Sequence, residues 1–120
     1  MIKNYKDLIV WQKAIDMVLL VYEMTKSFPK EELYGLTSQL RKAAVSVPSN
    51  IAEGHARKTK AQFRNFLLIA RGSLAEVETQ LIIAVYLNYI KESQKAMVMT
   101  IHEEVSKMLS TLISKLTPHP

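Results

Sequence analysis

The chain has 120 residues, with 16 Lys or Arg, 11 Asp or Glu and no cysteine, and its net charge is +5. This length suits one domain with its own core, and the lack of cysteine excludes disulfides and thiolate metal sites. The first residues do not form a signal peptide, and no uncharged apolar run approaches the roughly 20 residues of a membrane span. We therefore expect a soluble, cytoplasmic protein without membrane contact.

The positive charge is concentrated in the middle of the chain. Residues 26–71 contain nine Lys or Arg and three Glu, whereas the segments on either side are close to neutral. An excess of this kind permits binding to a polyanion such as nucleic acid. An ordinary solvated surface is the alternative.

The first half of the chain contains two amphipathic segments. Apolar residues at steps of three and four predict a first helix over 6–27 and a second over 34–54. The apolar stripe of the second helix keeps its phase across Pro48. We expect a kink there, because proline removes a backbone donor and crowds the preceding turn. Gly54 is expected to end this helix as a left-handed cap.

A long third helix is predicted over 60–90, opened by a capping-box spacing between Thr59 and Gln62. One apolar stripe along this helix is expected to pack in the core of a helical bundle. A second stripe lies on the opposite face and predicts an interface between copies of the chain, with burial between two neighbouring helices of the same chain as the alternative. The interface residues are Leu68, Ala75, Thr79, Ile82, Ile83 and Tyr86.

A fourth helix is predicted over 94–116. Four helices with short connections predict an all-α, up-down-up-down antiparallel four-helix bundle formed by the single domain 1–120, with the second helix kinked and the third the longest.

No residue pattern typical of catalysis is present. The chain lacks a glycine-rich phosphate loop, the Glu-x-x-His pairs of dinuclear bundle sites and a nucleophile beside a base. His102 is interpreted as a solvated or flanking residue, and His55 as an exposed cap residue or a nucleic-acid contact. We expect no enzymatic activity, no metal and no cofactor.

Basic residues provide the strongest functional signal. We expect them to form a stripe near the junction of the second and third helices and to contact a phosphate backbone with little base readout. These residues do not favour RNA over DNA as the ligand. The proposed contacts are Arg41, Lys42, Arg57, Lys58, Lys60 and Arg64. Arg71 shares the face of Lys60 and Arg64, but Glu78 is beside it, which favours a structural ion pair. The alternative function is an oligomeric scaffold that docks a protein partner.

The stretches LTSQLRKAAVSVPSNIAEGHAR (36–57) and FLLIARGSLAEVETQL (66–81) resemble the 23S rRNA-intervening sequence proteins. This bundle family is related to the accessory protein of diversity-generating retroelements, a basic barrel that binds nucleic acid. The resemblance implies a homopentamer of bacterial origin, and it raises the expectation of nucleic-acid binding without establishing a function.

The family's signature positions fall on a set of polar and small residues in this chain: Asn50, Glu53, Gly54, Arg71, Gly72, Ser73 and Glu76. From the resemblance we expect a structural role for them. Glu53 with Arg71, or Arg71 with Glu76, is expected to form a buried or interfacial polar link.

Overall fold

The structure is a computed structural model that describes residues 4–119. It contains the four α-helices α1 (Ile9–Thr25), α2 (Leu36–Ala56), α3 (Lys60–Tyr86) and α4 (Glu92–Leu116). Short 3-10 turns at Tyr5–Asp7 and Lys30–Glu32 precede α1 and α2. The described residues include no strand, so the all-α prediction is confirmed.

The helices pack in ring order. α1 and α3 each pack against α2 and α4, whereas no described residues of the diagonal pairs, α1 with α3 and α2 with α4, have Cα atoms within 8 Å of each other. The resulting molecule measures 47 × 23 × 20 Å. Its core is a continuous cluster to which every helix contributes fully buried side chains, among them Met17, Leu40, Ile51, Leu74 and Leu109. A four-helix bundle is therefore confirmed, while the up-down-up-down order and the bend at Pro48 stay predictions. Among residues 4–119, no helix combines the length and apolar character needed to cross a membrane.

α2 continues through Pro48, which is buried inside it. Asn50 Nδ2 donates to the Ser46 carbonyl oxygen at 2.8 Å and to Ser46 Oγ at 2.9 Å. These bonds attach the Asn50 side chain to the helical turn that contains the proline. The N–H that Pro48 lacks would have bonded to the carbonyl of Ala44, one turn earlier.

The end of α2 differs from the prediction. The helix continues past Gly54 to Ala56, and no described glycine has a positive φ. A Cβ added to Gly54 would stand 2.7 Å from Phe66 Cβ on α3, closer than packed carbons approach. Gly54 therefore allows α2 and α3 to come close together, and it is not the left-handed cap that we expected.

The end of α3 also differs, because the helix stops at Tyr86 and not near residue 90. Asn88 has a φ of 62°. The Tyr89 N–H donates to the Ala84 carbonyl and the Asn88 N–H to the Val85 carbonyl, each at 2.9 Å. This is a Schellman arrangement in which asparagine takes the left-handed position usually held by glycine.

Glu32 joins the α1–α2 connection to the α3–α4 connection. Its Oε1 accepts from the Leu36 N–H at 3.0 Å, and its Oε2 accepts from the Tyr89 hydroxyl at 2.7 Å. The bond from Leu36 and then that from Tyr89 lower the pKa of Glu32. The same contact raises the pKa of Tyr89, because the hydroxyl donates to a carboxylate.

Candidate nucleic-acid interface

Two lysines, Lys58 and Lys60, are exposed to solvent where α2 is followed by α3. Arg57 follows the last residue of α2 in an extended conformation, and Thr59 caps α3 by accepting from the Gln62 N–H at 3.1 Å. Lys58 and Lys60 are exposed, and neither forms an ion pair with any described residue. Their ammonium groups are therefore available to an external anion.

The two arginines at this end are held in place by the protein. Arg57 pairs with Glu53 at 2.7 Å and lies over the Phe66 ring at 5.0 Å. Arg64 Nε donates to Thr117 Oγ1 at 3.1 Å, and that hydroxyl donates in turn to the Ile113 carbonyl at 2.7 Å. Arg64 is thus oriented through a neutral partner and keeps its full charge, whereas Glu53 partly neutralises Arg57.

The cations Lys60 and Arg64 form a cluster with Lys115, which was not among the residues predicted from the sequence. A groove of about 490 Å³ lies between the start of α3 and the end of α4. Lys60, Arg64 and Lys115 line it, and no carboxylate of residues 4–119 does. Lys115 lies far from the others along the chain, and it could have been found only by pairing the end of α4 with the start of α3.

Arg41 and Lys42 do not join this cluster, so the expected stripe at the α2–α3 junction is wrong for these two residues. Arg57 follows Lys42 by 15 positions, which corresponds to about 22 Å along a helix. Arg41 Nε donates to Thr25 Oγ1 on α1 at 2.8 Å, and its guanidinium lies over the Tyr22 ring at 4.6 Å. Lys42 is exposed. The six predicted contacts therefore fall into two groups at opposite ends of α2.

The predicted link through Arg71 does not form between described residues of one chain, and its interfacial form stays a prediction. Glu53 pairs with Arg57, while Arg71 and Glu76 are both exposed. Glu78 is not an ion-pair partner of Arg71 in the described structure. Arg57 lies one turn after Glu53 on the same helical surface and pairs with its carboxylate.

A chain of hydroxyls joins α2 to α3 instead. Ser46 Oγ and Ser73 Oγ are 2.8 Å apart, and Ser73 Oγ donates to the Ile69 carbonyl at 3.2 Å. Asn50 Nδ2 donates to Ser46 Oγ. Because the Ser73 hydroxyl donates to Ile69, Ser46 Oγ is the donor and Ser73 Oγ the acceptor of the bond between them. Two of the residues for which we expected a structural role, Asn50 and Ser73, therefore belong to this chain of bonds together with Ser46.

The comparisons with known proteins identify the chain. Residues 6–111 match the family model described as 23S rRNA-intervening sequence protein. The chain belongs to the 23S rRNA-intervening sequence protein family. The comparison with curated proteins found no match.

A solved structure has the same fold. It is a protein of unknown function from the S23 ribosomal protein family of Bacteroides thetaiotaomicron, with a TM-score of 0.78 and 22% sequence identity. The match covers 88% of this chain and 98% of that chain. At this identity the likeness establishes the fold of this family member.

The outer face of α3 remains at the surface of this 23S rRNA-intervening sequence protein. Of the predicted interface residues, Leu68 and Ile82 are half-buried, and the other four are exposed: Ala75, Thr79, Ile83 and Tyr86. Gly72 lies on this face, with nothing within 4 Å of where a Cβ would be. The neighbouring helices do not cover the face, so burial within one chain is not the explanation for the second stripe.

Two histidines differ from their predicted environments. His102 is buried, and its Nε2 lies 2.7 Å from the Leu74 carbonyl oxygen on α3. His55 is half-buried against the edge of Phe63, with ring centroids 5.7 Å apart. Both therefore pack against α3. Within residues 4–119, no group of three or more potential metal-ligating side chains is assembled.

Proposed function

We propose that this protein is a non-enzymatic, cytoplasmic bacterial homo-oligomer that binds nucleic acid through the basic end of its bundle. The observation that carries the proposal is the groove between α3 and α4, which Lys60, Arg64 and Lys115 line without a carboxylate from the described residues. Lys58 is exposed on the adjacent turn. Cations grouped in this way suit a run of phosphates, and neither RNA nor DNA is preferred by that chemistry.

Counterion release provides the test of this proposal. Each phosphate neutralised by a cation releases counterions, so the logarithm of the affinity falls with the logarithm of salt by about 0.9 per contact on duplex DNA. Three or four contacts predict a slope of about −3 between roughly 50 and 200 mM salt. Fluorescence anisotropy with a labelled oligonucleotide measures it. An absence of binding at the lowest salt would reject the proposal.

Self-association is proposed for the outer face of α3. Ile83 and Tyr86 are 41% and 79% exposed there, and Gly72 leaves space for close approach of another helix. The family resemblance favours five copies, or about 68 kDa from a chain of 13.7 kDa. Native mass spectrometry should find this assembly, and Ala75→Glu should break it by placing charge on the face. A monomeric wild-type protein would overturn the proposal.

A protein-docking scaffold is the second candidate. A groove of about 460 Å³ lies between the start of α1 and the C-terminal half of α4. Its lining includes Asp7 and Lys107 and the apolar side chains of Leu8, Ile9, Met108 and Leu112. Ile9 is 60% exposed. An apolar groove that stays open after assembly favours a protein partner. Recovery of one defined partner after nuclease treatment, lost in Ile9→Asp, would support the scaffold over nucleic-acid binding.

A further inference from the structure

A second basic groove lies along the first turns of α2, far from the α3–α4 groove. Its volume is about 520 Å³, and its lining includes Tyr22, Tyr34, Arg41, Lys42 and Val45. No Asp or Glu lines it. The groove therefore combines aromatic rings, an aliphatic floor and two cations.

Tyr34 has the most exposed large side chain of this region. Its exposed fraction is 93%, and among residues 4–119 it has no ring contact and no hydrogen bond. Leu33 beside it is 50% exposed. A tyrosine ring in this position offers a flat face of about the size of a nucleobase.

Arg41 and Lys42 supply the charge of the groove in two different ways. Arg41 is fixed by its bond to Thr25 Oγ1 and by stacking on Tyr22, which makes it a preorganised planar cation. Lys42 is exposed and has no ion-pair partner in the described range. The groove therefore presents a planar and a mobile cation beside an open ring.

We propose that this groove binds an unpaired nucleobase of a single-stranded nucleic acid together with its flanking phosphate. The base stacks on Tyr34, and Lys42 contacts the phosphate. Aromatic platforms beside cations are how proteins hold single strands without reading sequence, because every base has a π face. A duplex keeps its base faces stacked inside, so this groove selects single strands.

This inference rests on the proposed function and deepens it by naming the strand type. The chemistry of the groove favours a nucleotide over an identical groove on a second copy of the chain. Two copies would bring four cations together without a carboxylate, which costs free energy, whereas a nucleotide supplies both the anion and the flat apolar surface.

The test compares two strands that carry the same charge. An oligothymidylate and an abasic phosphodiester strand of equal length differ in their bases alone. The wild-type protein should bind the oligothymidylate about tenfold more tightly, given the usual strength of stacking on an aromatic ring. Tyr34→Ala should remove this difference, and Tyr34→Phe should keep it. Leu19→Ala, which shortens an exposed side chain of α1 outside the groove, is the matched control.

The outcomes separate this inference from the proposed function. Equal binding of both strands overturns the base-binding groove and leaves phosphate binding intact, whereas binding of neither strand overturns both. The native mass of Tyr34→Ala supplies the last control. If that variant loses affinity because it no longer assembles, the groove is an interface between copies, and the inference is wrong.

Discussion

Gly54 and Gly72 lie on facing helices, and their surroundings are opposite. Gly54 is buried with Phe66 Cβ 2.7 Å from the position of an added Cβ, whereas nothing lies within 4 Å at Gly72. We expect Gly54→Ala to destabilise the protein by about 1–3 kcal/mol, because the helices must separate. Gly72→Ala should stabilise a single chain by about 0.5–1 kcal/mol through its helix propensity.

Urea unfolding of both glycine variants, with native mass measured in parallel, checks this pair. An equal loss of stability in both would contradict the difference in packing. Loss of assembly in Gly72→Ala alone would instead locate a close contact with a second copy on the outer face of α3.

Tyr89 gives the stability of the protein a dependence on alkaline pH. Its bond to Glu32 raises the pKa of the hydroxyl above the ordinary value of 10.0. The contribution of this bond is therefore fully present below about pH 10 and is lost as pH rises through the raised pKa. We expect Tyr89→Phe to lower the Tm near neutral pH and to flatten the alkaline decline. Thermal melts across the tyrosine titration range measure both effects.

Tyr34→Phe is the matched control for Tyr89→Phe, because its hydroxyl is solvated and has no partner among the described residues. It should keep both the neutral Tm and the alkaline decline of the wild type. Identical alkaline curves for the wild type and Tyr89→Phe would contradict the assignment.

At the scale of the helices, His102 ties α4 to α3. The Leu74 carbonyl can only accept, so Nε2 carries the proton, while Nδ1 is buried without a partner in the described structure. Removing the ring takes away this bond and leaves a cavity. We expect His102→Ala to cost about 2–4 kcal/mol of unfolding free energy.

Chemical denaturation measures the His102 effect, and Glu103→Ala is its control. Glu103 is the exposed neighbour of His102 on the same helix, so its truncation should change stability by less than about 0.5 kcal/mol. A similarly small change in His102→Ala would show that the bond to Leu74 does not stabilise the bundle.

Helical periodicity predicted the elements well, and their ends less well. The apolar stripe of the second segment keeps its phase across Pro48, and this correctly predicted that the helix continues through the proline. It did not predict the stop at Tyr86, because Asn88 adopts the left-handed conformation only when the cap bonds form around it. Gly54 was misread because a close helix approach and a helix cap both require a missing Cβ.

At the scale of the whole molecule, helix pairing decides which charges meet. Sequence spacing grouped Lys58, Lys60 and Arg64 correctly, because they lie on or beside one helix end. It grouped Arg41 with them although the length of the second helix separates the two groups by about 22 Å, and the Arg41 side chain turns toward α1 instead. It also could not add Lys115, which reaches the groove through the packing of α4. Predicting a site shared by helices requires knowing which ends are adjacent.

The most direct test of nucleic-acid binding compares two variants that lose equal charge. One replaces Lys60, Arg64 and Lys115 by Gln, and the other replaces Lys91, Lys95 and Lys107, which lie on or next to α4 outside the α3–α4 groove. The measurement is the salt dependence of oligonucleotide affinity. We predict that the first variant reduces the slope by about 2–3, while the second changes it by less than about 1. Equal losses in both would mean that net charge binds nucleic acid without a site, and that result would contradict the account.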